Sequence, residues 1–379
     1  MNAPQARGAM PASLGVVNSQ HHSAAAGASS CGLLKWCYSA VKFAALPIHR
    51  GGAEVVIFTN NASATAAECA QPGVRISGFD PELAADIDTW HASQRLIKPR
   101  KRGLTKLSFV MSTLYKWEIL RHVEYRALFF SDVDVDFFLP HGGTPPPAGS
   151  PAYRALAAAW SDGDDGLYGR FLRDRRLKLV GSGDDKAPIN TAVMVLKPDL
   201  DAYALGRAAL RTRRFNVSTG WNASGPPKAT LPYSMPRFGG GTFHLTGVRS
   251  WFANTWNYVC GDGDQGLFAH VFLVLLRGET FAMASDSRNA SATTYHVSHF
   301  FGGYKPWRSL NRCRAYFDFM NASDFRHAET ACVRALDEKR RCLLDGLSRA
   351  ECERCRRKRQ KSTCQMKAEC PRGIGWRVF

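Results

Sequence analysis

Three aspartates follow a short apolar stretch that has the composition of a buried strand. The stretch Ala127–Phe130 leads into Asp132, Asp134 and Asp136. Side chains alternate along an extended strand, so all three carboxylates are expected on one face. Negative charges this close need neutralising, and Mn²⁺ or Mg²⁺ bridged to a diphosphate suits a pair of carboxylates. An acidic turn at the end of a strand is the alternative interpretation.

A second string of residues, Tyr295–Trp307, combines groups that could serve the same metal and its diphosphate. A histidine can supply a nitrogen ligand, and glycines let backbone amides approach phosphate oxygens. Lys305 can neutralise a phosphate, and the proline and tryptophan after it would keep its loop rigid. The alternative is an aromatic packed loop with a solvated lysine, and we assign His296 that structural role.

Three further positions carry polar side chains where the surrounding pattern is apolar or helical. Asp264 and Gln265 open a predicted helix, where they could hold sugar hydroxyls, although Asp264 could equally cap the helix. Asn190 lies in an apolar strand, so its amide needs either a structural hydrogen bond or a ligand. Lys116 lies on the helix before the acidic strand and could otherwise be an ordinary surface residue.

The elements that must position these residues alternate between strand and helix. Strands are predicted at Leu14–Val17, Ala53–Thr59, Val74–Ile76, Ala127–Phe130 and Ile189–Leu196, and helices at Leu104–Val123 and Gln265–Arg277. Such alternation predicts an α/β sheet, and ligands of such sheets bind at the carboxyl ends of the strands. The stretch 141–187 begins with Pro- and Gly-rich sequence, and we expect a long variable loop there.

Composition excludes several classes of protein. The chain of 379 residues has the length of one large domain with an extension. With 45% hydrophobic and 22% charged residues, it has enough apolar material for a core and is not mainly disordered. No segment has the pattern of a conventional membrane span. The nearest approach, Cys31–Ile48, carries Lys35 and Lys42 on one helical face and indicates an amphipathic helix.

The net charge is strongly positive, at +18, and predicts attraction to anionic partners. Nucleic acid, acidic glycans, anionic headgroups and nucleotide diphosphates all satisfy this condition. Part of the charge lies in residues 313–379, where basic side chains exceed acidic ones by seven. No nucleic-acid-binding motif is recognisable, so no nucleic-acid partner is predicted. Association of the basic tail with a membrane surface is consistent with its charge.

Sequons and cysteines indicate the compartment. Asn-x-Ser sequons begin at Asn61, Asn216, Asn222, Asn289 and Asn321. Random placement would give roughly one or two. Seven of the 11 cysteines fall within residues 313–379, which suits disulfides in an oxidising lumen, with zinc as the alternative. We therefore expect a glycoprotein of the secretory pathway, in the Golgi, and we expect its targeting segment to lie upstream of this sequence.

Taken in order, these motifs resemble those of the glycogenin-like family of retaining glycosyltransferases (glycosyltransferase family 8), which have a GT-A fold. The resemblance rests on Asp132-Val-Asp134, Ile189–Val195, Asp264-Gln-Gly-Leu267 and His299–Trp307. Lys116, sixteen residues before Asp132, occupies the place of the family's Thr-Lys-Leu lysine. The last motif, His-Phe-x-Gly-x-x-Lys-Pro-Trp, is complete and is the most specific of the set.

The resemblance implies a nucleotide-sugar donor, usually UDP-linked, held by Mn²⁺, with Mg²⁺ as the other candidate metal. Asp132, Asp134 and His299 would ligate the metal. Gly302 and Lys305 would contact the diphosphate, with Lys116 close to it. The metal and Lys305 would then stabilise the charge that develops on the leaving diphosphate.

The resemblance also assigns the donor-sugar pocket and the reaction. Asn190, Asp264 and Gln265 would line the donor sugar, with Asp264 and Gln265 as the candidate catalytic pair. The reaction would transfer a hexose-type sugar to a glycan, protein or lipid acceptor with retention of configuration. A catalytically inactive relative that binds carbohydrate or a polyanion is the alternative function.

Several positions depart from the family pattern. Ser131 replaces the usual leucine before the acidic motif, and Asp136 adds an overlapping second pair, which we keep in reserve. Thr191 and Ala192 follow the strand asparagine, where the family has serine or alanine and then glycine. Where relatives often have Asp-Gly-Gly-Asp, this chain has Gly261-Asp-Gly-Asp264, so any role of the first acid moves to Asp262 or is lost.

These motifs predict three regions. Residues 1–11 would form a flexible tail, 12–312 the GT-A domain, and 313–379 a small, helical, cysteine-rich extension.

Overall fold

A computed structural model describes residues 14–20, 30–50, 52–69, 72–95, 107–138, 145–161, 163, 167–182, 189–212, 214–216, 219–222, 261–276, 281–284 and 298–299. The predicted tails at both ends lie outside these ranges. The boundaries at residues 11 and 312, and the disulfides of the extension, therefore stay predictions.

A strand lies at each of the five positions where the sequence pattern predicts one. In the described ranges they are β1 (Leu14–Gln20), β2 (Ala53–Thr59), β3 (Val74–Gly78), β4 (Ala127–Ser131), β5 (Val135–Asp136), β6 (Leu179–Ser182), β7 (Asn190–Leu196), β8 (Phe215–Asn216), β9 (Gly220–Trp221), β10 (Phe281–Ala284) and β11 (Ser298–His299). The five strands predicted from the sequence are thus confirmed as β1, β2, β3, β4 and β7.

The helices lie between these strands. They are α1 (Ser30–Ala44), α2 (Ala62–Glu68), α3 (Pro81–Arg95), α4 (Leu107–Leu114), α5 (Pro151–Trp160), α6 (Leu167–Arg173), α7 (Leu200–Thr212) and α8 (Asp264–Ala269). A 3₁₀ helix, Tyr115–Arg121, continues α4, and a π-helical segment, His270–Leu275, continues α8. None of the helices in these ranges is both long enough and apolar enough to cross a bilayer.

Seven strands form a mixed, mostly parallel sheet in the order β10-β6-β7-β4-β1-β2-β3. Neighbouring strands pair in parallel except at β7, which is antiparallel to both β4 and β6. The amino end of β7 therefore lies at the same sheet edge as the carboxyl ends of the other six strands. This architecture confirms the predicted fold class, an α/β sheet with flanking helices.

Alternating side chains build a core on each face of the sheet, as a period of two requires. One face carries Val17, Val56, Phe58, Leu128 and Phe130 and is covered by α3, α4, α7 and α8. The other carries Val16, Val55, Ile57, Ala127 and Phe129 and is covered by α1, α5 and α6. Both faces are buried, which explains why the central strands are apolar throughout.

Two predicted elements differ from the observed ones. The region 141–187, expected as a long loop, contains α5, α6 and β6. The start of α5 has ordinary helix signals, because Ser150 accepts the Tyr153 N–H over 3.1 Å and Pro151 follows it. The predicted helix Leu104–Val123 is divided, with its second half wound as the 3₁₀ helix.

A disulfide joins Cys37 in α1 to Cys69 at the end of α2, with a Cα–Cα distance of 6.0 Å. Both cysteines are buried. The sequence pattern drew attention to the cysteines of the tail instead. The cross-link ties the helix that covers one face of the sheet to the connection between β2 and β3.

Candidate active site

The predicted site residues meet at one sheet edge because of the directions of two strands. β4 ends at Ser131, which places Asp132 at this edge. The antiparallel strand β7 begins there with Asn190 and Thr191. The Asp132 N–H donates to the Ala192 carbonyl over 2.8 Å, so the acidic segment is fixed to β7 as it leaves the sheet.

Lys116 bridges two of the predicted acids. Its Nζ lies 2.8 Å from Asp132 Oδ1 and 3.0 Å from Asp264 Oδ2. Lys116 is only 7% exposed, so the surface position that its pattern also allowed is wrong. The ammonium also lies 5.2 Å from the centre of the Phe130 ring, in cation–π geometry. These contacts make Lys116 the centre of the candidate site.

The residue after Lys116 anchors the 3₁₀ helix to α7. Trp117 is fully buried, and its Nε1 donates to the Tyr203 carbonyl over 3.0 Å. A Cβ on Gly206 would lie 2.1 Å from the Trp117 ring, so glycine is required for this close approach. The indole therefore fixes the backbone from which Lys116 extends.

The carboxylates and the ammonium of this cluster shift each other's pKa values. Burial raises the pKa of Asp132 above its ordinary value; Lys116 opposes this shift, and Asp134 and Asp264 add to it. Burial acts against the Lys116 ammonium, but Asp132 and Asp264 outweigh it and raise the pKa of the lysine. Among the described groups, three carboxylates lie around this one buried ammonium. Carboxylate oxygens are the ligands that divalent cations such as Mg²⁺ and Ca²⁺ bind in proteins.

Asp264 is directed into the cluster and does not cap α8. The capping position belongs to Gly263, and Asp264 is the first helical residue. Its Oδ2 accepts the Thr191 hydroxyl over 2.5 Å, in addition to its contact with Lys116. Its backbone N–H approaches Thr113 Oγ1 at 3.5 Å. The simple capping role considered for Asp264 is therefore wrong.

The backbone before Asp264 is held around one carbonyl group. Trp221 Nε1 donates to the Gly261 carbonyl oxygen over 2.7 Å. A Cβ on Gly266 would lie 1.7 Å from that same oxygen, so a side chain there would displace the loop. This contact is the physical reason for the glycine in Asp-Gln-Gly. Asp262, in the same loop, is 1% exposed.

The acidic segment has its own support from two other elements. The Ser131 carbonyl, immediately before Asp132, accepts the Asn18 side-chain amide from β1 over 2.5 Å. The Ser131 hydroxyl accepts the Trp36 indole N–H from α1 over 2.7 Å. All three residues are fully buried. The serine at position 131 thus accepts a hydrogen bond that fixes α1 to the start of the acidic motif.

The predicted metal ligands are only partly described. Asp132 is partly exposed, whereas Asp134 is 6% exposed. The backbone of His299 pairs with Val135 in the antiparallel pair β11–β5, which brings the His299 backbone next to the acidic segment. The side chains of His299 and Asp136 lie outside the described atoms. Within the described atoms, no three His, Cys, Asp or Glu side chains form a metal-binding cluster.

Of the remaining predicted site residues, Asn190 and Gln265 lie within the described ranges. The Asn190 oxygen accepts the Ala192 N–H over 2.9 Å, so the structural hydrogen bond considered for it is present. Gln265 follows Asp264 on α8 and is partly exposed. Gly302 and Lys305 lie outside the described ranges, so their roles stay predictions.

Sequence reasoning missed several residues that position the site. Thr191, Thr113, Asn18 and Trp36 form contacts with the acids or with the residue before them. Thr191 gave the clearest available signal, because it is a polar residue within an apolar strand and must be hydrogen-bonded when buried. The others are common residue types whose partners lie far away in sequence.

No protein-family model matches the chain, and no curated protein sequence matches it. Among solved structures, the chain is similar to the galactosyltransferase LgtC in complex with donor and acceptor sugar analogues. The identity is 12%, the match covers 83% of this chain and 99% of that chain, and the TM-score is 0.37. It is also similar to mouse xyloside xylosyltransferase 1 in its apo form, at 11% identity, 71% and 83% coverage and a TM-score of 0.35. Similarity at this level leaves donor, acceptor and mechanism to be argued from the residues of this chain.

Proposed function

We propose that this protein is a metal-dependent, retaining glycosyltransferase that uses a nucleotide sugar, with UDP as the nucleotide. The observation that carries the proposal is the buried Lys116 shared by Asp132 and Asp264, with Asp134 close by. This arrangement joins the acidic motif to the Asp-Gln-Gly helix in one site. The order and spacing of the motifs, taken with this contact, support a glycosyltransferase over an unrelated acidic site.

We propose a divalent metal for this site because of its residue types. Carboxylate oxygens are preferred ligands of Mn²⁺ and Mg²⁺. Asp132, Asp134 and His299 would hold the ion. Once bound, it would neutralise the charge that develops on the leaving diphosphate.

The chain's own residues would orient the donor. Lys116 fixes the separation of Asp132 and Asp264, so the diphosphate side and the sugar side of the site keep one geometry. Asp264 and Gln265 would line the donor sugar, with Asn190 beside them. Lys305 and the Gly302 backbone would complete the diphosphate site. Positioning of this kind removes part of the entropic barrier to transfer.

We also propose that the protein is a glycoprotein of the secretory pathway, in the Golgi, that acts on a glycan, protein or lipid acceptor. Two features support an oxidising lumen: the buried Cys37–Cys69 disulfide and the exposure of the described sequon asparagines Asn61, Asn216 and Asn222. A mobility shift on enzymatic removal of N-glycans from the protein made in eukaryotic cells would test this assignment. A protein without N-glycans and with reduced Cys37 would contradict it.

The activity test measures nucleotide release from a panel of UDP- and GDP-sugars, with Mn²⁺ and with chelator. We expect metal-dependent release from one donor by the wild type and a loss of about 100-fold or more in Asp134→Ala, since a metal ligand is removed. The matched control is Asp201→Asn, an exposed acid at the start of α7, which should behave as the wild type.

Other outcomes of this panel have distinct meanings. Donor binding without release indicates that the acceptor is missing. Absence of both donor binding and nucleotide release would contradict the proposed enzyme activity. It would favour the alternative function, an inactive protein that binds carbohydrate or a polyanion. In that case, binding to an acidic glycan should weaken as salt is added.

A further inference from the structure

One carboxylate oxygen of Asp264 is fully engaged by the protein. Oδ2 accepts the Thr191 hydroxyl over 2.5 Å and lies 3.0 Å from Lys116 Nζ. Asp264 is 7% exposed and Thr191 is 1% exposed. Within the described ranges, we find no hydrogen bond to Asp264 Oδ1. The two oxygens of this carboxylate therefore have different environments.

The two donors to Oδ2 come from the 3₁₀ helix and from a strand of the central sheet. Lys116 extends from the 3₁₀ helix, and Thr191 lies at the start of β7, whose next residue accepts the Asp132 N–H. Threonine is branched at Cβ, so its hydroxyl has few alternative orientations. A hydroxyl that donates to a carboxylate is a strong, charge-assisted donor.

We infer that Thr191 is a positioning residue for Asp264: its hydroxyl and Lys116 hold Oδ2, which leaves Oδ1 to accept a hydrogen bond from a hydroxyl of the donor sugar. The inference rests on the proposed function, in which Asp264 lines the donor sugar. Thr191 itself touches Asp264 and acts through it. Without the hydroxyl, the carboxylate can rotate, and Oδ1 is no longer held in one place.

The test compares Thr191→Val, which keeps the shape and loses the hydroxyl, with Thr191→Ser, which keeps the hydroxyl. For the donor that the wild type turns over, we expect kcat of Thr191→Val to fall about 10- to 100-fold, the range for one lost hydrogen bond to a charged group. The donor KM should change by less than about threefold, and Thr191→Ser should stay within about threefold of the wild type in kcat.

A structural control separates positioning from a simple loss of stability. Thr65→Val removes another buried threonine hydroxyl, which donates to Thr59 Oγ1 over 2.9 Å at the end of β2, two strands away from β4. We expect its Tm to fall by about as much as that of Thr191→Val, with kcat unchanged. Thr191→Ala, measured in parallel, gives the same comparison if the valine variant does not fold.

A double-mutant cycle with Asp264→Asn tests whether Thr191 acts through Asp264. Expected is a strongly non-additive result, in which Thr191→Val causes little further loss of kcat in the Asp264→Asn background. Equal kcat for wild type and Thr191→Val, or additive losses in the cycle, would overturn the inference and leave the proposed function intact. A wild type that neither binds nor releases a nucleotide would overturn both the inference and the proposed function.

Discussion

Two buried ionic clusters lie on the same short 3₁₀ helix, two residues apart. The first is the Lys116 cluster, in which one ammonium faces Asp132 and Asp264. The second is the Glu118 cluster, in which one fully buried carboxylate faces Arg121 at 2.7 Å and His122 at 3.2 Å. The Asp80 N–H also donates to Glu118, over 3.0 Å.

The two clusters differ in the direction in which they shift the pKa of a carboxyl group. In the Glu118 cluster, the pKa of Asp80 lies below its ordinary value. Burial raises this pKa, but the Tyr203 hydroxyl, a backbone N–H and two arginines lower it by more. In the Lys116 cluster, burial and neighbouring carboxylates raise the pKa of Asp132 despite Lys116. The surroundings of Asp80 favour its ionised form, whereas those of Asp132 disfavour it. We therefore assign a structural role to the Glu118 cluster and propose the functional role for the Lys116 cluster.

The largest effect is expected from a substitution that breaks the Lys116 cluster. Lys116→Met leaves the buried Asp264 and the partly exposed Asp132 without their shared cation, so we expect the free energy of unfolding to fall by about 3–5 kcal/mol, with nucleotide release abolished. Denaturant titration and the donor assay measure both effects. The control is Lys178→Met, which removes a more exposed pair with Asp199 and should cost about 1 kcal/mol or less without loss of activity. Unchanged stability in Lys116→Met would contradict the charge argument.

A smaller effect is expected when the Glu118 cluster is broken. Glu118→Gln keeps the shape but removes the charge that Arg121 and His122 face, so we expect a loss of about 2–3 kcal/mol in stability. Nucleotide release by the folded variant should match the wild type, because this cluster contacts neither acid of the site. A fall in kcat at a temperature where the variant is fully folded would show that the two clusters are coupled.

The smallest effect concerns a buried group whose charge is disfavoured by its surroundings. Burial lowers the pKa of His270 to about 4, below its ordinary value of 6.5. Between these values the unfolded chain takes up a proton that the folded chain does not, so stability is full above about pH 6.5 and falls as pH decreases. We expect a contribution of about 2 kcal/mol to be lost by about pH 5.

Unfolding measured between about pH 7 and about pH 5 tests the His270 effect. His270→Gln should show a shallower loss of stability with acid than the wild type, because the substituted residue does not titrate. Lys197→Met provides a comparison from a partly buried group, since burial lowers the pKa of Lys197 to about 8 and this group is already charged below neutral pH. Parallel acid profiles for wild type and His270→Gln would rule out His270 as the acid-sensitive group.

Local sequence patterns were sufficient to predict much of the sheet. Ala53–Thr59 and the apolar start of β4 are β-rich runs with clear ends, and both form strands within a residue of the prediction. The region 141–187 was misjudged because its Pro- and Gly-rich opening masked the cap and the first turn of α5. The spacing of apolar residues also could not predict that Leu104–Val123 is divided into an α-helix and a 3₁₀ helix, since both kinds of helix keep neighbouring apolar residues on one face.

The sequence by itself determined which side chains could do chemistry and which strands would carry them, because residue type and period are local properties. Only the tertiary structure decided that Lys116 is shared by Asp132 and Asp264, that Thr191 holds the second acid, and that Cys37 pairs with Cys69. Each of these contacts joins residues far apart in the chain. Their proximity follows from the strand order and from the reversed direction of β7, and these are set by the packing of the whole sheet.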